Sequence, residues 1–330
     1  MDEILCSIII AARNEEKFIC RCIESLENQE IDRSNYELLI VEGMSVDNTA
    51  DEISRMQQKY GNIVLLQNSE MIASSAFNIG ITHAKGRYIF IAGAHAEYPP
   101  DFIGKSLESI KENNADCVGG REIEVSEKRL GKAFAAVRNT AFGGGLSAYR
   151  YSNKKQFVET VAFGCYTKEI LTAVGGFDGS LVRNQDNDLN KRIVEAGGKI
   201  LFDPAISFYY YARDTLKGMI RQMAGYGYWE SRLIKKRKSQ LSISTFIPAV
   251  FVLYSLFVVL LFLLKGTALP LLLEFVPYLG IYAFFAVKDL IPKRVNLLTA
   301  LFLYLLIHFS VGTGLIAGLI GKGRSEVLCG

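Results

Sequence analysis

The chain has 330 residues, half of them hydrophobic, and its 37 basic and 34 acidic residues leave a net charge of +3. That near balance gives no global case for a nucleic-acid partner, and the length suits one large domain or two ordinary ones. Six cysteines (Cys6, Cys20, Cys22, Cys117, Cys165 and Cys329) stand without CxxC pairs or metal-binding spacing, which argues against a metal site built from them and predicts reduced, buried thiols.

Met1-Asp2-Glu3 is acidic, and the apolar stretch from Ile4 to Ala12 is short and ends in Arg13-Asn14-Glu15-Glu16, unlike a secretion signal. The run Ile4 to Ala11 predicts a strand buried on both faces, and Glu15 to Asn28 has helical spacing through Phe18, Ile19, Cys22, Ile23 and Leu26. Tyr36 to Val41 predicts a second strand. Ser45-Val46-Asp47 opens a helix through Met56, with Ser45 or Asp47 able to cap it. Ile63 to Leu66 is a third strand, Ser74 to His83 a helix, and Arg87 to Ala92 a fourth strand. The alternation predicts an α/β domain with a mostly parallel sheet and helices on both faces. Ligands in such sheets bind beyond the carboxyl ends of the strands, where Asn14, Glu15, Glu42 and His95 stand.

Beyond about Gln240 charges nearly vanish. Phe246 to Leu264 and Leu297 to Ile320 are long enough to cross a bilayer. Thr267 to Val287, interrupted by Pro270, Glu274 and Pro277, is a kinked span or a re-entrant hairpin; three spans are the working expectation. Gly314 and Gly318 have the spacing that lets helices approach closely, and Glu274 and His308 should face protein. Lys235, Lys236, Arg237 and Lys238 before the first span, with Lys288, Lys293 and Arg294 after the second, predict cytoplasmic placement of both clusters, at odds with Lys322 and Arg324 outside. Tyr209 to Leu233 reads as an interfacial amphipathic segment carrying Met219, Met223, Tyr226 and Trp229.

Three blocks, SIIIAARNEEKFICRCIESLENQ, LLIVEGMSVDNTADEI and SSAFNIGITHAKGRYIFIAGAHAEYPPDFI, resemble the opening motifs of family 2 glycosyltransferases of the GT-A fold. A fourth, GCYTKEILTAVGGFDGSLVRNQDNDLNKRIVEAGGKILFDP, is similar to the family's acceptor-side block. HAEYPP and RNQDNDLN most resemble the membrane-bound branch that builds exopolysaccharides such as succinoglycan. The resemblance implies a catalytic domain over 1–205, an interfacial linker over 206–240 and a transmembrane region over 241–330. It implies a nucleotide-sugar donor, a polyprenyl-linked acceptor, and a multi-pass protein of the inner membrane with its catalytic domain in the cytoplasm.

On this resemblance Ala11, Ala12, Glu15, Asn78 and Ala94 belong to the donor site. Glu42, where the family carries aspartate, would accept the uracil N–H of a UDP-sugar, and Asp47 is a second donor-site acid or a helix cap. The family's Asp-x-His triplet is Gly93-Ala94-His95 here, so His95 is expected to hold Mg²⁺ or Mn²⁺ against the donor diphosphate. Gly93 departs from the pattern, and Glu97 is a candidate substitute. Asp186 is the expected catalytic base, flanked by Gln185 and by Asp188 with Arg192 one turn on. Gly164 and Gly175-Gly176-Phe177-Asp178 would be the acceptor-site floor and the turn that delivers the base, and Arg213, Arg221, Gln222 and Trp229 would hold diphosphate and acceptor. Alternatives are a polyprenyl-phosphate sugar synthase and a non-catalytic membrane scaffold, the latter favoured by Gly93 and opposed by the acids around Asp186.

Overall fold

Ile8, Ile9 and Ile10 have no accessible surface in the computed structural model, and they show how the sheet begins. The structure describes residues 4–145, 148–237 and 243–321; the expectations placed on Met1, Asp2, Glu3, Lys238, Gln240, Lys322, Arg324 and Cys329 lie outside these. Ile8 and Ile10 pack into one core with Ile19, Ile23 and Ile53, while Ile9 packs into another with Phe77, Leu171, Leu189 and Ile193. A strand covered on both faces needs such an unbroken apolar run, and each buried isoleucine contributes about 1.5–3 kcal/mol.

The chain forms two compact units, one of residues 1–123 with 147–211, the other of 124–146 with 212–330. In the first, strands β1 (Cys6–Ala12), β2 (Tyr36–Glu42), β3 (Ile63–Gln67) and β4 (Tyr88–Gly93) alternate with helices α1 (Ile19–Glu27), α2 (Thr49–Lys59), α3 (Ala73–His83) and α4 (Phe102–Glu112). Then come β5 (Ala96–Glu97), β6 (Cys117–Val125), β7 (Gln156–Phe157), β8 (Cys165–Thr167) and β9 (Ile200–Tyr211), with α7 (Ala148–Tyr151), α8 (Lys168–Ala173) and α9 (Gln185–Glu195). The strand order is β3-β2-β1-β4-β8-β6-β9-β5, with β7 also on β9. The first four strands are parallel, and register sets Ala12 opposite Glu42 and Ala11 opposite Gly93, so their carboxyl ends finish level. β8 runs antiparallel to β4.

Two local expectations shift. Helix α2 starts at Thr49 after an Asn48 cap without a side-chain bond, later than Ser45. Tyr209, Tyr210 and Tyr211 are the end of β9 rather than part of an interfacial segment, so the first unit extends past residue 205.

The second unit contains α5 (Arg129–Arg138), α6 (Ala141–Gly144), α10 (Leu216–Lys236), α11 (Ile247–Lys265), α12 (Leu269–Phe285) and α13 (Leu297–Ile320). With a π-helical turn over Ala286–Leu290, α12 reaches residue 290 as one helix. Among the described residues three helices are long and apolar enough to cross a membrane, Ile247–Lys265, Leu269–Leu290 and Leu297–Ile320, which marks a membrane protein. Polar groups in them meet protein: Ser255 donates to Glu274, Tyr278 bonds His308 Nδ1 at 2.9 Å, and His308 Nε2 lies 2.8 Å from the Phe142 carbonyl.

The segment read as an interfacial amphipathic helix is α10, and its buried face packs on α13. Met219 and Met223 are buried in one cluster with Leu303, Tyr304 and Ile307 of α13. The backbones of α10 and α13 approach so closely that a Cβ on Gly227 would overlap the Val311 carbonyl, and one on Gly314 the Ala224 carbonyl. Arg232 and Lys235 donate to the carbonyls of Gly321 and Gly318 at 3.0 Å, so the two helices run in the same direction and cations meet the last turn of α13.

Candidate active site

The loops after β1 and β2 are knitted together by their own polar groups. Asn14, at φ 56°, donates its amide to Ser45 Oγ at 3.0 Å and accepts the Val46 amide at 3.0 Å. The Glu15 amide donates to Thr49 Oγ1 at 2.7 Å. Asp47 Oδ1 accepts from the Thr49 hydroxyl at 2.5 Å and amide at 3.1 Å, and Oδ2 from the Glu16 amide at 3.4 Å. Burial opposes the charged form of Asp47, but these hydrogen bonds outweigh it and hold its pKa below the usual range. Asp47 thus braces two loops. Glu42 is buried and folds back on its loop, accepting the Met44 amide at 3.0 Å and the Ser45 amide at 2.6 Å. Two oxygens offer about four acceptor sites, so the carboxylate keeps capacity for another donor.

His95 lies between two partners. Its Nδ1 is 2.9 Å from Glu15 Oε1, and its Nε2 is 2.6 Å from the Tyr210 hydroxyl. The neighbouring tyrosine does the same for the nearby acid: Tyr211 donates to Glu97 Oε1 at 2.5 Å, and Arg21 donates to the Tyr211 hydroxyl at 3.3 Å. Glu97 is therefore held by a phenol. Gly93 is buried at the end of β4, its amide bonded to the Tyr98 hydroxyl at 2.8 Å, and a Cβ there would stand 3.0 Å from the Phe163 ring. Ala94 is buried beside it.

Among the described residues no three His, Cys, Asp or Glu side chains converge as a metal cage. The donor chemistry does fit a cation gripped by one protein nitrogen. With Glu15 accepting an Nδ1–H, the His95 ring would present Nε2, now 2.6 Å from the Tyr210 hydroxyl, as the coordinating nitrogen, the arrangement of oriented metal-binding histidines.

The expected base comes from a later stretch of the chain. Gly175 and Gly176, at φ 74° and 68°, turn the chain after α8, and Asn184 at φ 59° precedes α9. Arg192 fixes this turn, donating to the carbonyls of Val174 at 2.6 Å and Gly176 at 2.7 Å and to the fully buried Asp188 at 2.9 Å. The expected Asp188–Arg192 pair is present, and it is structural. Asn78 also serves the turn: its amide group donates to the Phe177 carbonyl and accepts the Phe177 amide, both at 2.8 Å. Gly164 allows a close approach, since a Cβ there would lie 2.8 Å from Cys117 Sγ.

Asp186 stands half-buried in the first turn of α9, next to Gln185. Burial raises its pKa above the ordinary carboxylate range against the hydrogen bond from the Asn187 amide, and the charge of Glu122 adds to the rise while Arg150 offsets it. Glu122 and Arg150 form a buried ion pair at 2.8 Å. Sequence reasoning passed over this pair, although a signal exists: in β6 the acids Glu122 and Glu124 take buried positions while Ile123 and Val125 are less so. Arg213, Arg221, Gln222 and Trp229 belong to the second unit, where Gln222 and Trp229 are buried and Gln222 Nε2 lies 3.5 Å from the Tyr226 hydroxyl.

Comparison with known proteins gives a consistent set of likenesses. The family model described as glycosyl transferase family 2 matches residues 7–170. A Methanococcus voltae protein, named dolichyl N-acetyl-alpha-D-glucosaminyl phosphate 3-beta-D-2,3-diacetamido-2,3-dideoxy-beta-D-glucuronosyltransferase, is 34% identical over 97% of this chain and 98% of its own. The succinoglycan biosynthesis protein ExoA of Rhizobium meliloti is 28% identical over 73% of each chain. In fold, the mannosyltransferase PcManGT from Pyrobaculum calidifontis, solved with GDP-Man and Mn²⁺, superposes with a TM-score of 0.61 at 15% identity, covering 96% of this chain and 88% of that one. The fold is GT-A-like.

Proposed function

Because this chain belongs to glycosyltransferase family 2 and is a glycosyltransferase, we propose that it moves a sugar from a nucleotide-sugar donor to a lipid-linked saccharide, inverting the anomeric centre. The observation that carries this reading is Asp186, a half-buried carboxyl of raised pKa in the first turn of α9, a helix that Arg192 ties to the turn at Val174 and Gly176. The acceptor class is supported by the dolichyl-linked substrate and the succinoglycan pathway in the names of the two relatives.

In this reading the acceptor hydroxyl approaches Asp186, which removes its proton as the oxygen attacks the anomeric carbon opposite the departing nucleoside diphosphate. A raised pKa makes Asp186 a stronger base than a solvated aspartate. Glu42, held by two amides of its loop, accepts the imide N–H of uracil, which favours a UDP-sugar. His95 would hold Mg²⁺ or Mn²⁺ through Nε2, with Glu15 fixing the ring; the cation, when bound, would offset charge on the departing diphosphate. Lys288, Lys293 and Arg294 after α12 favour the cytoplasm for that loop and the inner membrane for the protein, whereas Lys235, bonded to the last turn of α13, stands at the opposite end of that span.

Radiolabelled UDP-, GDP- and dTDP-sugars, each offered with polyprenyl-phosphate and polyprenyl-diphosphate saccharides, test this function. Transfer of label to one lipid by wild type and its loss in Asp186→Asn are expected. Transfer that survives Asp186→Asn would remove the base assignment.

A further inference from the structure

With His95 taken as the residue that faces the donor diphosphate, its two contacts carry more than its own assignment. A carboxylate accepts hydrogen bonds and has none to give, so at the 2.9 Å contact with Glu15 the hydrogen sits on Nδ1 of His95. In the neutral ring Nε2 then bears a lone pair, and the hydroxyl 2.6 Å away donates to it. That hydroxyl belongs to Tyr210, which lies 115 positions on in the chain and is brought over by the pairing of β5 with β9. Tyr210 is not loosely placed: its ring packs at 4.6 Å from the imidazole and stacks at 5.9 Å on Phe163. The backbone at this point is tied as well, by the Tyr211 amide on the His95 carbonyl at 3.1 Å.

We propose, resting on that reading of His95, that Tyr210 is a positioning residue that covers the histidine's coordinating nitrogen, and that Glu15 is the carboxylate that sets which nitrogen that is. In the absence of donor the phenol takes the place of a cation at Nε2. A metal–diphosphate pair must displace that hydroxyl to reach the ring, and the displaced phenol O–H can then donate to a phosphate oxygen. The exchange makes metal binding weak without nucleotide and strong with it. The missing carboxylate at Gly93 contributes to the same behaviour, because no second protein ligand holds the metal in the phenol's place.

The test is calorimetric titration of Mn²⁺ into the full-length protein in detergent, with and without saturating UDP. Wild type is compared with Tyr210→Phe, Glu15→Gln and His95→Ala, each checked for a wild-type melting temperature. Tyr210→Phe keeps the ring packing and removes the hydroxyl, so Mn²⁺ should bind about fivefold more tightly without UDP, the factor one ordinary hydrogen bond carries. Glu15→Gln should weaken binding about 10- to 100-fold, the usual scale for losing an orienting carboxylate.

If His95→Ala abolishes binding while Tyr210→Phe leaves it unchanged or weaker, the covering role is refuted and the ligand assignment survives. If His95→Ala changes nothing, the ligand assignment itself fails, and the covering role with it. The chain has only three histidines, so nitrogen-15 labelling of histidine gives a second readout without activity. The His95 ring should show the Nδ1–H tautomer in wild type, and a ring in the other tautomer would overturn the proposal.

Discussion

Gly93 and Phe163 contend for one volume: the end of the Phe163 ring lies 3.0 Å from where a Cβ on residue 93 would be. Phe163 is held at φ 47° and packs edge-on against Phe208 at 5.5 Å. A side chain at 93 must push an aromatic that has little room to retreat. Gly93→Ala should therefore cost about 1–3 kcal/mol, the usual range for overpacking. Gly93→Ala with Phe163→Leu should recover part of what the two single changes lose. Thermal unfolding of all three variants measures the coupling, and strict additivity would mean that the two residues do not share the space. Restoring the family's carboxylate by Gly93→Asp is expected to fail unless position 163 is reduced as well.

Asp186 should show its raised pKa in the pH profile. Transfer requires the carboxylate form, so kcat should fall on the acid side at a pH above that of an ordinary aspartate. The stability consequence has the opposite sense. A carboxyl whose folded pKa exceeds its unfolded value favours the fold below the unfolded pKa, and that contribution is lost as pH rises through the folded one. Asp186→Asn removes this loss at neutral pH. Transfer should drop about 100-fold or more, while the melting temperature at pH 7 stays level or rises. A fall in melting temperature would show that the charged form is stabilised in place.

The Glu122–Arg150 pair should behave as a buried pair does. Arg150→Met leaves a buried acid without its counter-charge and should cost about 3–5 kcal/mol, whereas Glu122→Gln together with Arg150→Met should cost much less. With Glu122 alone beside it, Asp186 should titrate still higher, moving the acid limb of the kcat profile upward. An unmoved limb in Arg150→Met would separate the pair from the base.

Close backbone contact between α10 and α13 makes Gly227 intolerant of any side chain. Gly227→Leu should separate the helices and expose sites at Lys235 and Lys236 to trypsin in detergent, while Gly266→Ala, at an αL helix end with open space around it, should leave digestion near wild type. Equal digestion of wild type and Gly227→Leu would discount the contact.

Much of the sheet was legible because β1, β2 and β4 are mostly apolar runs buried along nearly their whole length, and such runs are read directly from sequence. The later strands gave no comparable signal. β8 has three residues, and β9 carries Pro204 and three tyrosines that read as interfacial. Of the site, single positions such as Asp186 and His95 could be named from motifs. The contact of His95 with Tyr210 could not, since a hydrogen bond across 115 positions follows from strand pairing and leaves no local pattern. The destination of α10 was obscured for a related reason: Ala224, Gly227 and Ser231 read as a weak helical face until α13 supplies the matching small residues.

The second unit draws on two distant pieces of chain, 124–146 and 212–330, and this governs how the protein can be made. The earlier piece leaves the ribosome first, yet its partners come last: Thr140 bonds Tyr304 across 164 positions, and the Phe142 carbonyl meets His308 across 166. Until translation reaches α13, Phe134 and Val137 lack the cluster that buries them in the finished fold. A nascent chain thus carries an uncovered apolar hairpin through most of its synthesis, a natural client for insertion factors and holding chaperones. Expression of a soluble catalytic fragment by truncation at residue 211 makes that state permanent, so a tractable fragment must also replace 124–146 with a short polar turn.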